Sequence, residues 1–431
     1  MDFVKGDSTG FSIPAHGRAL LKAGEGFLTD AFRRFGALAQ SNSVTRITEC
    51  EPFLGGSTGT KLLLSVEYER PDPVLHRNLF VKFSRDFTDP IRDLGRHEME
   101  SEVRLAALTR RPQFPVSVPV TYFADYHRES GTGVLITSRI SFGSHGIEAQ
   151  HPKCSDYALS EPLDYYRALI AALARLAAAH KSGPIKEEVE GAFPFDREAA
   201  IAADPIPWDA TALSKLVAGY ADFARRRPQL LPASITDQTF IASFERDALR
   251  VLEHEQAIKR FLHADNRLIA LCHWNAQIDN AWFWRDPAGA LHCGLIDWGR
   301  VRQMNLAYAL WGCLVGADLE IWEHHLDELL ALFVAEFTSH GGPAITAAEL
   351  KLSLQLYAAT IGLAGIMIAP ERILLRLPEA EWASGPDDPI IRAHEEARCF
   401  LHILTIFLSQ WRAQDFGASL ATMLAMTEDP G

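Results

Sequence analysis

Apolar residues change their spacing along the chain near residue 140. From Val44 to Ser138 they fall in short runs that favour β-strands. These runs are VTRITECEPFL (44–54), KLLLSVEYE (61–69), LFVKFS (79–84), VPVTYFADY (118–126) and TGVLITSRI (132–140). Beyond about residue 141 the spacing is mostly that of amphipathic helices. The pattern therefore predicts a small strand-rich region followed by a large helical region.

Helices are predicted on both sides of this change. After residues 1–17, the segment 17–38 carries apolar residues at helical spacing, and 92–111 repeats that pattern between the third and fourth strands. In the second region Ser160 is expected to cap a long helix. From Ala307 onward the pattern is helical again.

Two short apolar runs interrupt the helical region and predict strands, LIALCHWN (268–275) and LHCGLIDWG (291–299). We therefore expect an α+β protein in three parts: an N-terminal arm (1–17), an N-terminal lobe (18–138) and a mainly helical C-terminal lobe (139–431). Two lobes imply a cleft between them, where small ligands usually bind.

Composition excludes several classes of partner. The 431 residues carry a formal net charge of -13, which argues against general nucleic-acid binding. The six cysteines are scattered, so reduced thiols and a cytoplasmic location are expected. No signal peptide is visible at the N-terminus. The longest apolar runs, such as IGLAGIMIA (361–369), are too short to span a membrane, and no membrane insertion is expected.

The stretch LCHWNAQIDNAWFW (271–284) has the spacing of a phosphotransferase catalytic loop. In kinase-like enzymes that loop reads His-x-Asp-x-x-x-x-Asn, with the Asp as base and the Asn on magnesium. Here the positions are His273, Asn275 and Asn280. Asp297 follows three apolar residues and precedes Trp-Gly, much like the kinase Asp-Phe-Gly. Asn280 and Asp297 together offer two oxygen ligands of the kind that magnesium prefers.

Residues in the N-terminal lobe indicate where a phosphate group would bind. The Gly-rich turn GGSTGT (55–60) offers successive backbone N–H groups that suit an anion, although an ordinary hairpin turn has the same composition. Lys82 ends an apolar strand and is placed to face a phosphate, with Lys61 as a lesser rival; a surface lysine is the alternative. Glu98 and Glu102 share one helix face, which is either solvated or turns Glu102 inward to pair with Lys82.

A zinc site is a competing hypothesis for this region. Cys272 and His273 are adjacent, as are His292 and Cys293. Neighbouring strand residues point to opposite faces, so such pairs converge poorly on one ion, and the usual CxxC spacing is missing. We therefore expect that these residues have structural roles and do not bind zinc.

From about Leu20 to Trp311 the chain resembles the aminoglycoside phosphotransferase and choline kinase-like superfamily, particularly its ecdysteroid kinase-like branch. The segments that carry the resemblance are GGSTGTKLLLSVEY, LFVKFS, ESEVRLAAL, VPVTYFADY, GVLITSRI, the motif at His273 and GLIDWGRV. The resemblance implies a protein kinase-like bilobal fold in which the N-lobe sheet holds ATP and the adenine lies against a hinge near Thr137–Arg139.

Residue roles carry over by position. The resemblance implies that Lys82 contacts the nucleotide phosphates, that Glu102 anchors Lys82, and that magnesium lies on Asn280 and Asp297. The candidate nucleotide-binding residues are Ser57, Thr58, Gly59, Lys82, Glu102 and Ser138. The candidate catalytic residues are His273 and Asn275. The acceptor is expected to be a small molecule with a hydroxyl group, and aromatics between about 145 and 270 permit a hydrophobic one.

The chain departs from the family pattern at two places. Trp274-Asn275 replaces Gly-Asp, and Ala309 stands where the family often has an Asp. An amide accepts no proton at neutral pH, but its carbonyl oxygen can orient a hydroxyl, and Asp279 is a candidate substitute base. Three hypotheses remain open: a small-molecule kinase with a weakened or altered catalytic loop, a nucleotide-binding pseudokinase with a regulatory or scaffolding role, or a kinase-fold enzyme that makes another transfer from ATP.

Overall fold

The protein has two lobes in the computed structural model, which describes residues 1–55, 59–89, 92, 95, 97–183 and 185–428. The N-terminal lobe is built on a five-stranded antiparallel sheet, and the C-terminal lobe is mostly helical. The α+β bilobal architecture predicted from the sequence is therefore confirmed.

The N-terminal lobe places its sheet between two helices. Its strands are β1 (Phe3–Lys5), β2 (Ser12–Pro14), β3 (Val44–Pro52), β4 (Thr60–Tyr68), β5 (Asn78–Phe83), β6 (Thr121–His127) and β7 (Thr132–Ser138). Its helices are α1 (Gly17–Arg34) and α2 (Glu98–Leu108). The large sheet has the order β3-β4-β5-β7-β6. Strands β1 and β2 pair separately within residues 1–17, where the side chain of Ile13 is fully buried.

The C-terminal lobe surrounds four short strands with helices. Its helices are α3 (Pro162–Ser182), α4 (Lys186–Ala192), α5 (Arg197–Ala202), α6 (Ala210–Arg226), α7 (Ala233–Thr236), α8 (Gln238–Glu253), α9 (Glu255–Ala264), α10 (Leu306–Leu314), α11 (Leu326–Ser339), α12 (Ala347–Gly365), α13 (Ala369–Arg376), α14 (Pro389–Ala393), α15 (Glu395–Ala413) and α16 (Phe416–Glu428). Its strands are β8 (Ile269–Cys272), β9 (Ala281–Arg285), β10 (Leu291–Leu295) and β11 (Arg302–Asn305).

The motif residues lie in loops between these strands. Strand β8 pairs with β11 and β9 pairs with β10, so the sequence analysis missed two of the four strands. The predicted strands also end early: β8 stops at Cys272 and β10 at Leu295, just before the motif residues. Side chains of those loops are consequently free to face the cleft between the lobes.

The predicted cap of the long helix is wrong. Helix α3 begins at Pro162, and its N-cap residue is Glu161, without a side-chain capping bond. Proline suits the first helical turn because its missing N–H would have had no partner there. The proline therefore marks the start of the helix better than Ser160 does.

No helix in the described part of the chain has, by itself, the length and apolar character needed to cross a membrane. The pair formed by α12 and α13, bent by 47°, passes that test by length and composition.

Candidate active site

Two cavities meet where the sheet faces the helical lobe. The sheet-side cavity, of about 400 Å³, lies between the sheet and the loops of the C-terminal lobe, and its apolar walls include Phe53, Leu63, Phe80, Leu135 and Ile296. The helix-side cavity, of about 500 Å³, extends from the predicted catalytic loop (residues 273–280) to α12 and α15, and its walls include Trp274, Trp311, Ile361, Phe400 and Ile403. Both cavities share Lys82, Glu102 and Asp297.

Lys82 is positioned by the alternation of strand β5. Leu79, Val81 and Phe83 are fully buried on the core face of the sheet, which turns Lys82 to the opposite face. Its Nζ lies 2.7 Å from Glu102 Oε2 on α2 and 2.9 Å from Asp297 Oδ1. The Lys82–Glu102 contact expected from the sequence is present in the structure, and Asp297 completes a three-residue ion cluster.

The charges in this cluster shift each other's protonation. Burial lowers the pKa of Lys82, but the carboxylates of Glu102 and Asp297 outweigh burial and hold that pKa above its ordinary range. Burial raises the pKa of Asp297, but the Lys82 ammonium outweighs it and the pKa is lowered. Lys82 is therefore a cation and Asp297 an anion at neutral pH.

Asp297 sits in a strained backbone conformation. Its φ is +61°, in the left-handed region that non-glycine residues seldom adopt. The turn is closed by Trp298, whose indole Nε1–H donates to the carbonyl of Leu295 at 3.1 Å. Strain of this kind clusters at functional sites, where the surrounding structure holds it.

His273 ties two loops together. The backbone N–H of Asn275 donates to His273 Nδ1 at 3.1 Å, so the ring proton lies on Nε2, which donates to the Ile296 carbonyl at 2.9 Å. Burial lowers the pKa of His273, which keeps the ring neutral. Both ring nitrogens are thus engaged, and the geometry suits His273 to holding the catalytic loop beside Asp297 more than to proton transfer.

Asn275 is held by two neighbouring amides. Its Oδ1 accepts a hydrogen bond from Gln277 Nε2 at 2.8 Å, and its backbone carbonyl accepts one from Asn280 Nδ2 at 3.0 Å. The amide oxygen expected to orient a hydroxyl is therefore already an acceptor, with one lone pair left. Gln277 is buried and was missed by the sequence analysis, although it lies inside the motif.

Asn280 and Asp297 both line the sheet-side cavity. Asn280 uses its amide nitrogen on the loop, which leaves Oδ1 as its acceptor. Two protein oxygens fit magnesium, which usually keeps several waters and binds phosphate oxygens as well. The described residues contain no group of three or more His, Cys, Asp or Glu side chains arranged to hold a metal ion.

The Gly-rich turn predicted to bind phosphate is described only in part. Ser57 and Thr58 lie outside the described residues. Gly59 has a φ of +65°, and a Cβ there would lie 2.0 Å from the Phe83 carbonyl oxygen, so this close approach requires glycine. Lys61 pairs in register with Lys82 and also lines the sheet-side cavity, with its Nζ 2.8 Å from the Gly55 carbonyl.

The expected hinge is bonded internally. Ser138 lines the sheet-side cavity, but its Oγ accepts from the Val120 N–H at 2.9 Å and its own N–H donates to the Val120 carbonyl. The N–H of Arg139 donates to the Asn78 carbonyl. The Ser138 hydroxyl and N–H therefore stabilise the end of the strand. A nucleobase bound here would make mainly van der Waals contacts with Ser138.

Three further positions from the sequence analysis, Trp274, Ala309 and Asp279, remain to be placed. The indole of Trp274 donates to Tyr357 Oη at 2.7 Å, and a Cβ at Gly312 would lie 1.5 Å from the Trp274 carbonyl oxygen. Ala309 is buried on α10. Burial raises the pKa of Asp279, the candidate substitute base, but Asp279 is not among the residues that line either cavity.

The ion cluster predicts a pH-dependent stability. Since the pKa of Asp297 is lowered, its contact with Lys82 stabilises the folded state above the unfolded pKa, about 3.9, and is lost as pH falls through the folded pKa. Asp297→Asn should therefore lower the free energy of unfolding at pH 7, by about 1 kcal/mol or less because the side chain is 42% exposed. The difference from wild type should shrink below about pH 4.

Urea unfolding at several pH values measures this difference. Asp327→Asn, which removes an exposed carboxylate from a salt bridge with Lys351, serves as the control. A difference for Asp297→Asn that grows as the pH falls would contradict the assigned charge states.

Comparison with known proteins finds similarity in solved structures only. No family model and no curated protein sequence matches the chain. The chain is similar to a Plasmodium vivax ethanolamine kinase, with 12% identity, a TM-score of 0.44, and 85% of this chain and 83% of that chain covered. It is also similar to a choline/ethanolamine kinase family protein from Mesorhizobium loti, with 15% identity, a TM-score of 0.42, and 91% of this chain and 98% of that chain covered. A third similar structure is an aminoglycoside-3'-phosphotransferase of type VIII, with 20% identity, a TM-score of 0.39, and 76% of this chain and 97% of that chain covered.

Proposed function

We propose that the protein is an ATP-dependent phosphotransferase that acts on the hydroxyl group of a small molecule, with an altered catalytic loop. The observation that carries the proposal is the Lys82 ammonium, held by Glu102 and Asp297 at the junction of two cavities. One cavity has room and apolar walls for a base, and the other for an acceptor. The proposal assigns nucleotide binding to residues 18–138 and the acceptor side to 139–431, in a cytoplasmic protein.

On the nucleotide side, the chain supplies cations and oxygen ligands. Lys82 would bind phosphate oxygens, with Lys61 beside it on the neighbouring strand. Asn280 and Asp297 would hold magnesium, which when bound would neutralise charge on the phosphates. Because Asp297 also contacts Lys82, one carboxylate would hold both the ammonium and the metal.

On the acceptor side, the catalytic loop would orient the hydroxyl. The acceptor oxygen forms a bond to the γ-phosphorus while the bond from that phosphorus to the bridging oxygen of ADP breaks. The hydroxyl proton leaves to water or to a phosphoryl oxygen, since the Asn275 amide accepts no proton. Phosphoryl transfer proceeds through a loose transition state, so positioning and charge neutralisation supply most of its catalysis.

A nucleotide-binding protein without turnover is the second candidate function. It is favoured by the hydrogen bond from Gln277 to Asn275 Oδ1. This oxygen stands where kinase-like loops carry the catalytic Asp carboxylate, and the bond already uses it as an acceptor. Such a protein would bind nucleotide and metal through the same ion cluster and act by regulation or scaffolding.

Nucleotide binding tests both candidates. ATP with magnesium should raise the melting temperature, because a ligand that binds the folded state stabilises it by about 2.7 kcal/mol at 100 times its Kd. Lys82→Met should remove most of this shift by deleting the buried cation between the cavities.

The matched control is Lys351→Met, since Lys351 also lies in a salt bridge but lines neither cavity. It should keep the wild-type shift. Absence of any response of the wild-type protein to millimolar ATP with magnesium would refute the proposed function.

A further inference from the structure

Among the described residues, the helix-side cavity carries two cations that no salt bridge offsets. Its ionic lining consists of Lys82, Arg85, Lys153, Arg300, Glu98, Glu102 and Asp297, which makes four cations and three carboxylates. Lys82 pairs with Glu102 and Asp297, and Arg85 pairs with Glu98 at 3.2 Å. Within the described residues neither Lys153 nor Arg300 lies in a salt bridge. The lining therefore has one cation more than it has carboxylates, and Lys153 and Arg300 are the two cations left without a salt-bridge partner in the described part of the chain.

Both cations are anchored next to the catalytic loop. The guanidinium of Arg300 lies 4.9 Å from the centroid of the Trp274 ring, a distance that suits a cation–π contact. The backbone carbonyl of Lys153 accepts hydrogen bonds from the Arg398 side chain, at 3.0 Å for the closer one, which fixes its segment against α15. Asp279 acts on Lys153 electrostatically, but from beyond salt-bridge distance. The two cations are thus available to a ligand.

The far wall of the same cavity is apolar. Ile361 and Ile366 at the end of α12, together with Phe400 and Ile403 of α15, are only partly buried and line the cavity. No carboxylate on this wall lines the cavity within the described residues, so it offers no partner for a cationic ligand. Apolar side chains in a concave site bind the apolar body of a ligand.

Resting on the proposed function, we propose that the acceptor is an apolar hydroxy acid whose carboxylate is bound by Lys153 and Arg300. The apolar wall holds the body of the molecule, and its hydroxyl reaches Asn275 and the Lys82 cluster. Charge-assisted hydrogen bonds from a guanidinium or an ammonium favour a carboxylate over a neutral group. An acceptor that carries an ammonium is disfavoured, because Lys153 and Arg300 repel it.

Three compounds that differ only in one end group test this acceptor class: hydroxydecanoate, decanediol and aminodecanol. Calorimetry measures their binding with and without ADP and magnesium, and mass spectrometry measures their phosphorylation by ATP. We expect hydroxydecanoate to bind at least about 10-fold more tightly than decanediol, since hydrogen bonds to charged groups are the stronger ones. Aminodecanol should bind most weakly.

Variants of the two cations separate recognition from structure. Lys153→Met and Arg300→Met should each lower the acid-to-diol affinity ratio by about 10-fold. Lys153→Arg should retain the preference for the acid, and Lys153→Glu should invert the order in favour of aminodecanol. Lys351→Met, the distal control, should keep the wild-type ratio. A purely structural role would weaken all three compounds alike.

The proposal is overturned if decanediol or aminodecanol binds as well as the acid, if the acid preference survives loss of both cations, or if none of the three binds. A failure of the proposed function looks different. It would appear as no thermal response to ATP with magnesium, while calorimetry on the nucleotide-free protein still decides which end group the cavity prefers.

Discussion

Asp297→Ala should abolish the magnesium dependence of ATP affinity and reduce phosphoryl transfer by about 10³-fold or more. The carboxylate proposed to hold magnesium is the same one that contacts the Lys82 ammonium, so its loss would remove a metal ligand and loosen the cation proposed to bind phosphate. Metal charge stabilisation in a transition state is worth several kcal/mol, and about 4 kcal/mol corresponds to that loss of rate. Glu102 remains beside Lys82, so the variant should still fold.

Calorimetry with magnesium and with a chelator measures the first effect, and ADP release measures the second. Asp327→Ala is the matched control, because Asp327 is an exposed carboxylate in a salt bridge with a lysine elsewhere. Equal ATP affinity of the wild-type protein with magnesium and with chelator would show that Asn280 and Asp297 do not form a metal site.

Elements with strong local patterns could be predicted from the sequence. Strand β5 was predicted because LFVKFS is a short apolar run, and Lys82 was singled out because it lies at the end of that run. The alternation that turns Lys82 away from the core is visible only in the structure. Strand β9, AWFWR, was missed because an aromatic run beside a motif suits a core loop equally well. Strand β11 is short and polar, and it exists because β8 lies beside it. Pairing between strands that are distant in the sequence depends on the tertiary structure, so the spacing of residues within one segment does not predict it.

The same limit applies to the site. The contact of Glu102 with Lys82 was expected: the helix pattern left it as one of two alternatives, and the family resemblance implied it. The occupied oxygen of Asn275 was not, since a spacing motif does not show which way the Gln277 amide turns. Lys153 and Arg300 were missed for a different reason. Each has an ordinary sequence context, and their significance comes from their place in a shared cavity, where neither has a salt-bridge partner in the part of the chain that the structure describes.

The largest gain in activity is expected from Asn275→Asp. The substitution keeps the shape of the side chain, and Gln277 Nε2 can donate to the new carboxylate as it does to the present amide oxygen. The bond from Asn280 to the backbone carbonyl of residue 275 is unaffected. A proton acceptor is thereby restored at the position where kinase-like loops carry one. General-base catalysis contributes about 10²–10⁴-fold, so ATP turnover should rise by about 10²-fold or more.

Turnover is measured as ADP release, with water and with hydroxydecanoate as acceptors. Asn266→Asp is the control, because it adds a carboxylate at an exposed position before β8, outside both cavities. A rise in ATP turnover with Asn275→Asp, but not with Asn266→Asp, supports a loop that has the geometry of a catalytic loop and lacks only the proton acceptor. If the wild-type protein turns over ATP and Asn275→Asp slows it, the asparagine is an adapted part of a working site, and a carboxylate there only repels the γ-phosphate. That outcome would refute both the pseudokinase hypothesis and a weakened loop, and it would make the orientation of the hydroxyl by Asn275 the basis of the chemistry.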